Sequence, residues 1–261
     1  MSLRNAILGA LLLICGLPSH SLAADKPEAC RNIDFNAASF TVCEFSAKDA
    51  DVRLFWGEGD KPYGNFKTLD QALGAENQRL LFAMNAGMYH KDRSPVGLYI
   101  DQHGQRRALQ TRASSGNFGL LPNGVFHRTN NGLAVTETKA FEAQGLSPKF
   151  ATQSGPMLVI GDKLHPKFNQ DSKSKRIRNG VGVSADGQRV YFGMSERPVN
   201  FYSFASLFKD ELKTPNALYL DGVISRLFDA SSGRHDYGVV MGPIVAVVGA
   251  NGPAAELEGA R

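Results

Sequence analysis

The ten residues LLFAMNAGMY at positions 80–89 place an apolar run directly before a polar turn. The run Leu80–Met84 has the length of a buried strand, and Asn85 stands where that strand ends and the chain turns. Gly87 permits a tight turn and a close approach of the backbone to a ligand. A short apolar strand that ends in Gly, Asn or Asp recurs along the chain, and this recurrence favours a β-containing domain.

Similar runs predict strands at ten further places, and the first two are expected to pair with each other. They are Phe40–Phe45, Asp51–Trp56, Val96–Ile100, Gly124–His127, Leu133–Thr136, Pro156–Ile160, Gly180–Ser184, Val190–Met194, Ala217–Asp221 and Gly238–Val248. Helical spacing occurs at Leu69–Glu76 and Phe204–Leu212, the second with Ser203 as its cap. The predicted fold class is α+β: a single domain of mixed, largely antiparallel β-sheet with helices at its edges.

The composition is that of an ordinary globular protein. The chain has 261 residues, of which 43% are apolar and 21% charged, and its net charge of +4 gives no argument for a nucleic-acid partner. Residues 1–23 have an early Arg4, an apolar run and the small residues Ser21 and Ala23, which together predict a secretory signal peptide. An uncleaved anchor is the alternative. The rest, 24–261, is predicted to be one domain without a membrane span.

Cysteine usage agrees with export. Cys15 lies in the predicted leader, and Cys30 and Cys43 remain after cleavage. Two cysteines in an oxidising compartment usually pair, so we predict a Cys30–Cys43 disulfide and a periplasmic or secreted protein.

Four polar segments are candidates for chemistry because each follows or interrupts an apolar run. Asn85 belongs either to a plain turn or to a site where its carboxamide binds a sugar hydroxyl or phosphate oxygen. Ser154 and Gly155 form either a turn at the entry of a strand or a group of backbone N–H donors that suits an anion. Arg178 stands directly before a predicted Gly-rich strand. Its guanidinium there either binds a phosphate through two N–H groups or forms a structural ion pair. Asp221 ends a strand as either a functional carboxylate or an Asx-turn.

Two further observations complete the site prediction. Glu196 follows the strand at Val190–Met194 and is expected as a second carboxylate facing the same cleft. The six His are scattered without a zinc-binding spacing, and neither a Walker loop nor a dinucleotide fingerprint is present. We therefore expect no cofactor and no metal site, although the sequence leaves a divalent metal requirement open.

Taken together, these motifs resemble one family, the phosphodiester glycosidase domain, which includes the catalytic domain of the enzyme that uncovers mannose 6-phosphate tags. The likeness runs from about 52 to 248 and is closest to an exported bacterial subgroup. The segments that carry it are Asn85–Tyr89, Ser94–Leu98, Gly116–Phe118, Pro122–Phe126, Ala151–Leu158, Arg178–Gly182, Arg197–Phe201 and Asn216–Ser225.

The resemblance implies hydrolysis of a sugar 1-phosphodiester to a free sugar and a phosphomonoester, with a phosphorylated carbohydrate or glycan as the partner. Asp221, Glu196 and Arg178 are the expected catalytic residues, since the sugar needs a carboxylate and the leaving phosphate needs charge stabilisation. The expected substrate-binding residues are Asn85, Gly87, Tyr89, Gln153, Ser154, Gly155, Asn179, Gly222 and Ser225.

Two other functions stay open at this point. The uncovering enzyme has a run of Gly after its Asp, whereas Val223 and Ile224 stand here. That departure favours a module of the cell envelope that binds a glycan or phosphoglycan without cleaving it. A weaker alternative is a phosphodiesterase that cuts the P–O bond instead of the C–O bond.

Overall fold

A computed structural model describes residues 29–221 and 224–251. The predicted leader at 1–23 and the predicted site residue Gly222 lie outside this part of the chain. The strands are β1 (Cys30–Phe35), β2 (Ala38–Ser46), β3 (Asp51–Phe55), β4 (Gly57–Glu58), β5 (Lys61–Pro62), β6 (Gln78–Asn85), β7 (Tyr99–Asp101), β8 (Gly104–Arg107), β9 (Gly124–Thr129), β10 (Gly132–Glu137), β11 (Phe150–Ser154), β12 (Met157–Ile160), β13 (Lys163–Leu164), β14 (Asn179–Val183), β15 (Arg189–Ser195), β16 (Asn216–Tyr219), β17 (Leu227–Asp229), β18 (Arg234–His235) and β19 (Ile244–Ala250). The helices are α1 (Phe66–Ala75), α2 (Thr138–Gln144) and α3 (Phe201–Ser206), and α3 continues as a π-helical turn over Leu207–Glu211.

Three antiparallel sheets make up most of this structure. The first has the strand order β1-β2-β15-β14-β16-β12-β13, the second β10-β9-β11-β7-β8 and the third β18-β17-β6-β19-β3. The predicted α+β class, with largely antiparallel strands, is confirmed.

The main core lies among the three sheets, where Phe192 of the first sheet, Phe126 of the second and Phe82 of the third come together. The ring centroids of Phe82 and Phe192 are 4.9 Å apart, and those of Phe126 and Phe192 are 6.0 Å apart. Alternation along the strands explains this arrangement, since successive side chains point to opposite faces. In β19, Val245 and Val247 face the main core, whereas Ile244 and Ala246 face away from it.

A helix covers the outer face of each sheet. Phe204 and Phe208 at α3 pack on the first sheet, Phe141 of α2 on the second, and Leu69 of α1 on the third. The sequence predicts α1 and α3 but places them at the sheet edges, whereas both cover sheet faces. The helix α2 is an addition, and its seven residues are too few to show helical periodicity.

Three local predictions are wrong. The strands β2 and β3 do not pair, because β2 lies between β1 and β15 while β3 pairs with β19. The cap of α3 is Asn200 instead of Ser203: the Asn200 Oδ1 accepts from the Ser203 N–H at 2.9 Å. The last strand begins at Ile244 instead of Gly238.

The structure contains the predicted disulfide between Cys30 and Cys43, which face each other across β1 and β2. In residues 29–221 and 224–251, no helix combines the length and apolar character needed to cross a membrane.

Candidate functional site

A cavity of about 560 Å³ brings together two of the four polar segments, those of Tyr89 and Asp221, with the motif at Gly116–Phe118. Its walls come from the turn after β6, from the loop at 114–118 and from the loop after β16. The lining residues are Met88, Tyr89, His90, Lys91, Arg93, Val96, Ser114, Ser115, Gly116, Asn117, Phe118, Asp221 and Ile224. Of the predicted site residues, Tyr89 and Asp221 reach this cavity directly.

Asp221 lies two residues beyond the end of β16 and is almost completely buried. Its carboxylate is close enough to the Tyr89 ring to disfavour ionisation of the tyrosine. Burial, reinforced by this negative charge, raises the pKa of Tyr89 to about 12. The Tyr89 hydroxyl is buried and has no hydrogen-bond partner among the described residues. At neutral pH it is therefore a protonated donor beside a carboxylate.

Cationic side chains line the same cavity on the turn that follows Tyr89. The guanidinium of Arg93 lies 5.7 Å from the centroid of the Tyr89 ring, and its Nη1 donates to the Lys91 carbonyl at 2.9 Å. The Trp56 indole donates to the Arg93 carbonyl at 2.7 Å and so holds this turn against the third sheet. His90 and Lys91 are exposed at the mouth of the cavity.

Two buried amide side chains, Asn85 and Asn179, lie behind the residues that line the cavity. Asn179 Nδ2 donates to the Asn85 carbonyl at 3.0 Å, and the two side-chain amides approach within 3.5 Å. Asn85 Oδ1 in turn accepts from the Arg226 N–H at 2.9 Å. Ser225 Oγ lies 3.4 Å from Asn179 Oδ1 and 3.4 Å from the Asp221 carbonyl. Asn85, Asn179 and Ser225 thus fix the loop that carries Asp221, and both Asn side chains are fully buried.

The segment at 151–156 is a second support. Gly87 donates its N–H to Thr152 Oγ1 at 3.2 Å, and Ser154 Oγ donates to the carbonyl of Leu220, the residue before Asp221, at 2.7 Å. Gly155 is packed so closely against the 117–123 loop that an added Cβ would lie 2.6 Å from Asn123 Cβ.

Both polar atoms of the Gln153 side chain form hydrogen bonds within the chain. Its Oε1 accepts from the N–H groups of Leu98 and Gln110, each at 3.0 Å. Its Nε2 donates to the Gln110 carbonyl at 2.7 Å and to Thr138 Oγ1 at 3.1 Å. These four contacts make Gln153 a positioning residue for the chain between 98 and 110.

Arg178 does not reach the cavity, contrary to the sequence expectation of a phosphate fork. Its side chain is only 1% exposed and lies 3.6 Å above the Phe201 ring. Its guanidinium donates to the Val199 carbonyl at 2.9 Å and to the Ser174 carbonyl at 3.1 Å. Burial lowers the pKa of Arg178. The physical reason for the difference is the aromatic pocket of Phe201 and Tyr219, which encloses the guanidinium.

Glu196 also lies elsewhere. Its N–H donates to the Ser39 carbonyl at 2.9 Å and so continues the ladder between β15 and β2. Its carboxylate accepts from Thr41 Oγ1 at 2.6 Å and pairs with Arg234 at 2.7 Å. Thr41 and Arg234 line a separate cavity of about 240 Å³. Glu196 therefore does not join Asp221 as a second carboxylate in one cleft.

Sequence reasoning missed the cations of the candidate site. Lys91 and Arg93 stand in a plain turn sequence. The one sequence feature that could have identified them is their position between the motifs Asn85–Tyr89 and Ser94–Leu98. Among the described residues, no group of three or more His, Cys, Asp or Glu is arranged to hold a metal ion.

A family model and a curated relative both match most of the chain. Residues 78–239 match the family model for phosphodiester glycosidase. The Escherichia coli (strain K12) protein YigE, which is named as uncharacterized, is 32% identical over 213 residues, covering 81% of each chain.

Two solved structures share the fold. The zebrafish N-acetylglucosamine-1-phosphodiester alpha-N-acetylglucosaminidase catalytic domain, auto-inhibited by its pro-peptide, matches with a TM-score of 0.56 and 14% identity, covering 84% of this chain and 81% of that one. A Burkholderia pseudomallei K96243 protein, named as a candidate exported protein, matches with a TM-score of 0.50 and 11% identity, covering 80% and 74%.

Proposed function

The chain belongs to the phosphodiester glycosidase family, and we propose that it is an exported enzyme that hydrolyses a sugar 1-phosphodiester to a free sugar and a phosphomonoester. One observation carries this proposal: a carboxylate and two cations share a single cavity. Asp221 supplies the carboxylate, and Lys91 and Arg93 supply the positive charge.

The two charges suit the two halves of the substrate. When the bond between the anomeric carbon and the phosphate oxygen breaks, the sugar develops positive charge and the phosphate gains a negative charge. Asp221 stabilises the sugar, either as nucleophile or as the base that takes a proton from the attacking water. The water oxygen then ends on the anomeric carbon, and the bonding electrons leave with the phosphate.

The turn after β6 binds the phosphate in this proposal. Lys91 and Arg93 attract the phosphate oxygens by charge. This assignment gives Lys91 and Arg93 the role that the sequence suggests for Arg178.

The test is product analysis of the purified chain with a panel of sugar 1-phosphodiesters, including nucleotide sugars. Asp221→Asn keeps the shape of the side chain and removes its charge, so we expect turnover to fall by about 100-fold or more. Asp60→Asn is the matched control, because Asp60 is exposed on the turn between β4 and β5. Turnover is expected to survive a chelator, since Lys91 and Arg93 meet the phosphate charge in this proposal.

Each alternative has its own outcome. Thermal stabilisation by a diester without any product would favour a binding module. If Asp221→Asn and Asp60→Asn both keep wild-type turnover, Asp221 has no part in the reaction. Loss of activity in chelator would add a metal to it.

A further inference from the structure

An apolar ridge lies beside the candidate site. It consists of Tyr237, Val239 and Val240, whose exposed fractions are 76%, 57% and 47%. In the described part of the chain, Ile177 at 41% is the other large apolar side chain with comparable exposure. Exposed apolar side chains that follow one another so closely along the chain indicate a surface that binds an apolar partner.

The chain at 238–242 connects the ridge to the cavity. At one end, an added Cβ on Gly242 would lie 2.5 Å from Tyr89 Cγ, so the backbone there packs directly against the cavity wall. At the other end, the Arg226 guanidinium packs against Gly238 and donates to the Val239 carbonyl at 3.2 Å. Arg226 belongs to the loop that follows Asp221. The segment that carries the ridge therefore contacts both Tyr89, in the cavity wall, and the loop that follows Asp221.

Ile177 flanks the cavity loop through another contact. Its carbonyl accepts a hydrogen bond from Ser225 Oγ at 3.2 Å. The exposed apolar side chains of the described residues thus lie on two segments, each hydrogen-bonded to residues 225–226.

The cavity itself is apolar on several sides. Met88, Val96, Phe118 and Ile224 contribute to its walls, and the cations Lys91 and Arg93 line the same space. Ile224 stands where the resemblance leads one to expect glycine. An apolar surface next to a cationic cavity is complementary to an amphiphile with an anionic head and an apolar tail.

We propose that the substrate is a lipid-linked sugar 1-phosphodiester, whose isoprenoid or alkyl chain lies along the ridge while its sugar and phosphate enter the cavity. This inference rests on the proposed function and specifies the aglycone. The bond between the anomeric carbon and the phosphate oxygen breaks, the water oxygen bonds to the anomeric carbon, and the lipid leaves as its phosphomonoester. No further reactant is needed.

The experiment compares two diesters that share one sugar 1-phosphate, esterified either to a methyl group or to a farnesyl group. The variant Val239→Ser with Val240→Ser lies outside the cavity and changes only exposed side chains. We expect its kcat/KM to fall about tenfold or more for the farnesyl diester and less than twofold for the methyl diester. The control, Val239→Ile with Val240→Ile, keeps the ridge apolar and should keep farnesyl activity.

Equal effects on both diesters, or no effect on either, would overturn the lipid assignment and leave the proposed function intact. If the wild-type chain cleaves neither diester, the proposed function fails. Vesicle binding then tests separately whether the ridge binds the lipid chain. Phosphatidylcholine vesicles with and without the farnesyl diester are the probe. Diester-dependent binding that the serine variant loses would support the ridge, and binding unchanged by that variant would overturn it.

Discussion

At Gly87 the backbone passes too close to β11 for any side chain. A Cβ at this position would lie 2.4 Å from Thr152 Oγ1 and 2.6 Å from the Gln153 carbonyl oxygen. The same contact holds the turn that presents Tyr89 to the cavity. The requirement for glycine here comes from packing against another strand, and the sequence shows only that a turn is present.

We predict that Gly87→Ala lowers the free energy of unfolding by about 1–3 kcal/mol, because the methyl group overpacks a buried contact. Gly74→Ala is the matched control, since Gly74 lies in α1 and an added Cβ meets nothing within 4 Å. That substitution should stabilise by about 0.5–1 kcal/mol through helix propensity. Urea denaturation of both variants is the measurement, and equal effects would contradict the packing argument.

His127 is a buried histidine in β9 whose pKa burial lowers to about 4. Its Nε2 lies 2.9 Å from Thr136 Oγ1, its ring packs against Phe141, and its Nδ1 has no hydrogen-bond partner among the described residues. Because the folded pKa is below the unfolded value of about 6.5, the unfolded chain binds more protons between these two values.

Stability contributed by neutral His127 is therefore complete above pH 6.5 and is lost as the pH falls toward 4. We expect the free energy of unfolding to drop by up to about 3 kcal/mol across this window because of His127. His127→Gln should remove that part of the pH dependence, whereas His103→Gln, at an exposed turn, should retain it. Denaturant titrations at several pH values would contradict this if both variants followed the wild type.

At the scale of elements, the β1–β2 hairpin is joined to the rest of the first sheet through β2 alone, because β1 is its edge strand. The Cys30–Cys43 disulfide closes this hairpin with a sequence separation of 13 residues. Neither cysteine lines the cavity that holds Asp221. The disulfide is thus a stabilising feature that lies apart from the candidate chemistry.

We predict that Cys30→Ser with Cys43→Ser lowers the free energy of unfolding by about 3 kcal/mol, from the loop entropy that the crosslink removes. For a chain of this size that corresponds to a fall in Tm of about 6–12 °C. Calorimetry measures the fall, and turnover at low temperature should stay unchanged. An unchanged Tm would show that β1 frays without cost to the domain.

Most strands could be predicted from the sequence because their signals are local: an apolar run and the Gly, Asn or Asp that ends it. Strand pairing could not, since β2 and β3 are neighbours in sequence but belong to different sheets. The last apolar run predicts a strand from Gly238, yet Val239 and Val240 are exposed on the ridge. An apolar pattern reports hydrophobicity and cannot distinguish a core strand from a surface that binds a partner.

At the scale of the whole molecule, the three sheets bring distant segments to one cavity. Tyr89 follows β6 of the third sheet, and Asp221 follows β16 of the first. Between them, Asn85 and Asn179 join the ends of β6 and β14 in the interior. The quoted motifs predicted the segments that meet, because turn residues after strands are visible in the sequence.

Individual roles were harder to predict from the same motifs. Arg178 and Glu196 have residue types that suit the reaction, but Arg178 is enclosed by aromatic rings and Glu196 pairs with Arg234. Lys91 and Arg93 line the cavity, although neither belongs to a recognisable sequence motif. Side-chain direction depends on packing between sheets, and that information is absent from a single strand and its turn.

The most direct test of the central claim is hydrolysis in water labelled with oxygen-18, using a diester that the wild-type chain cleaves. If Asp221 promotes attack at the anomeric carbon, mass spectrometry will find the label on the released sugar and none on the phosphomonoester. Label on the phosphate would contradict the claim, because it would mean that water attacks phosphorus and that the P–O bond breaks.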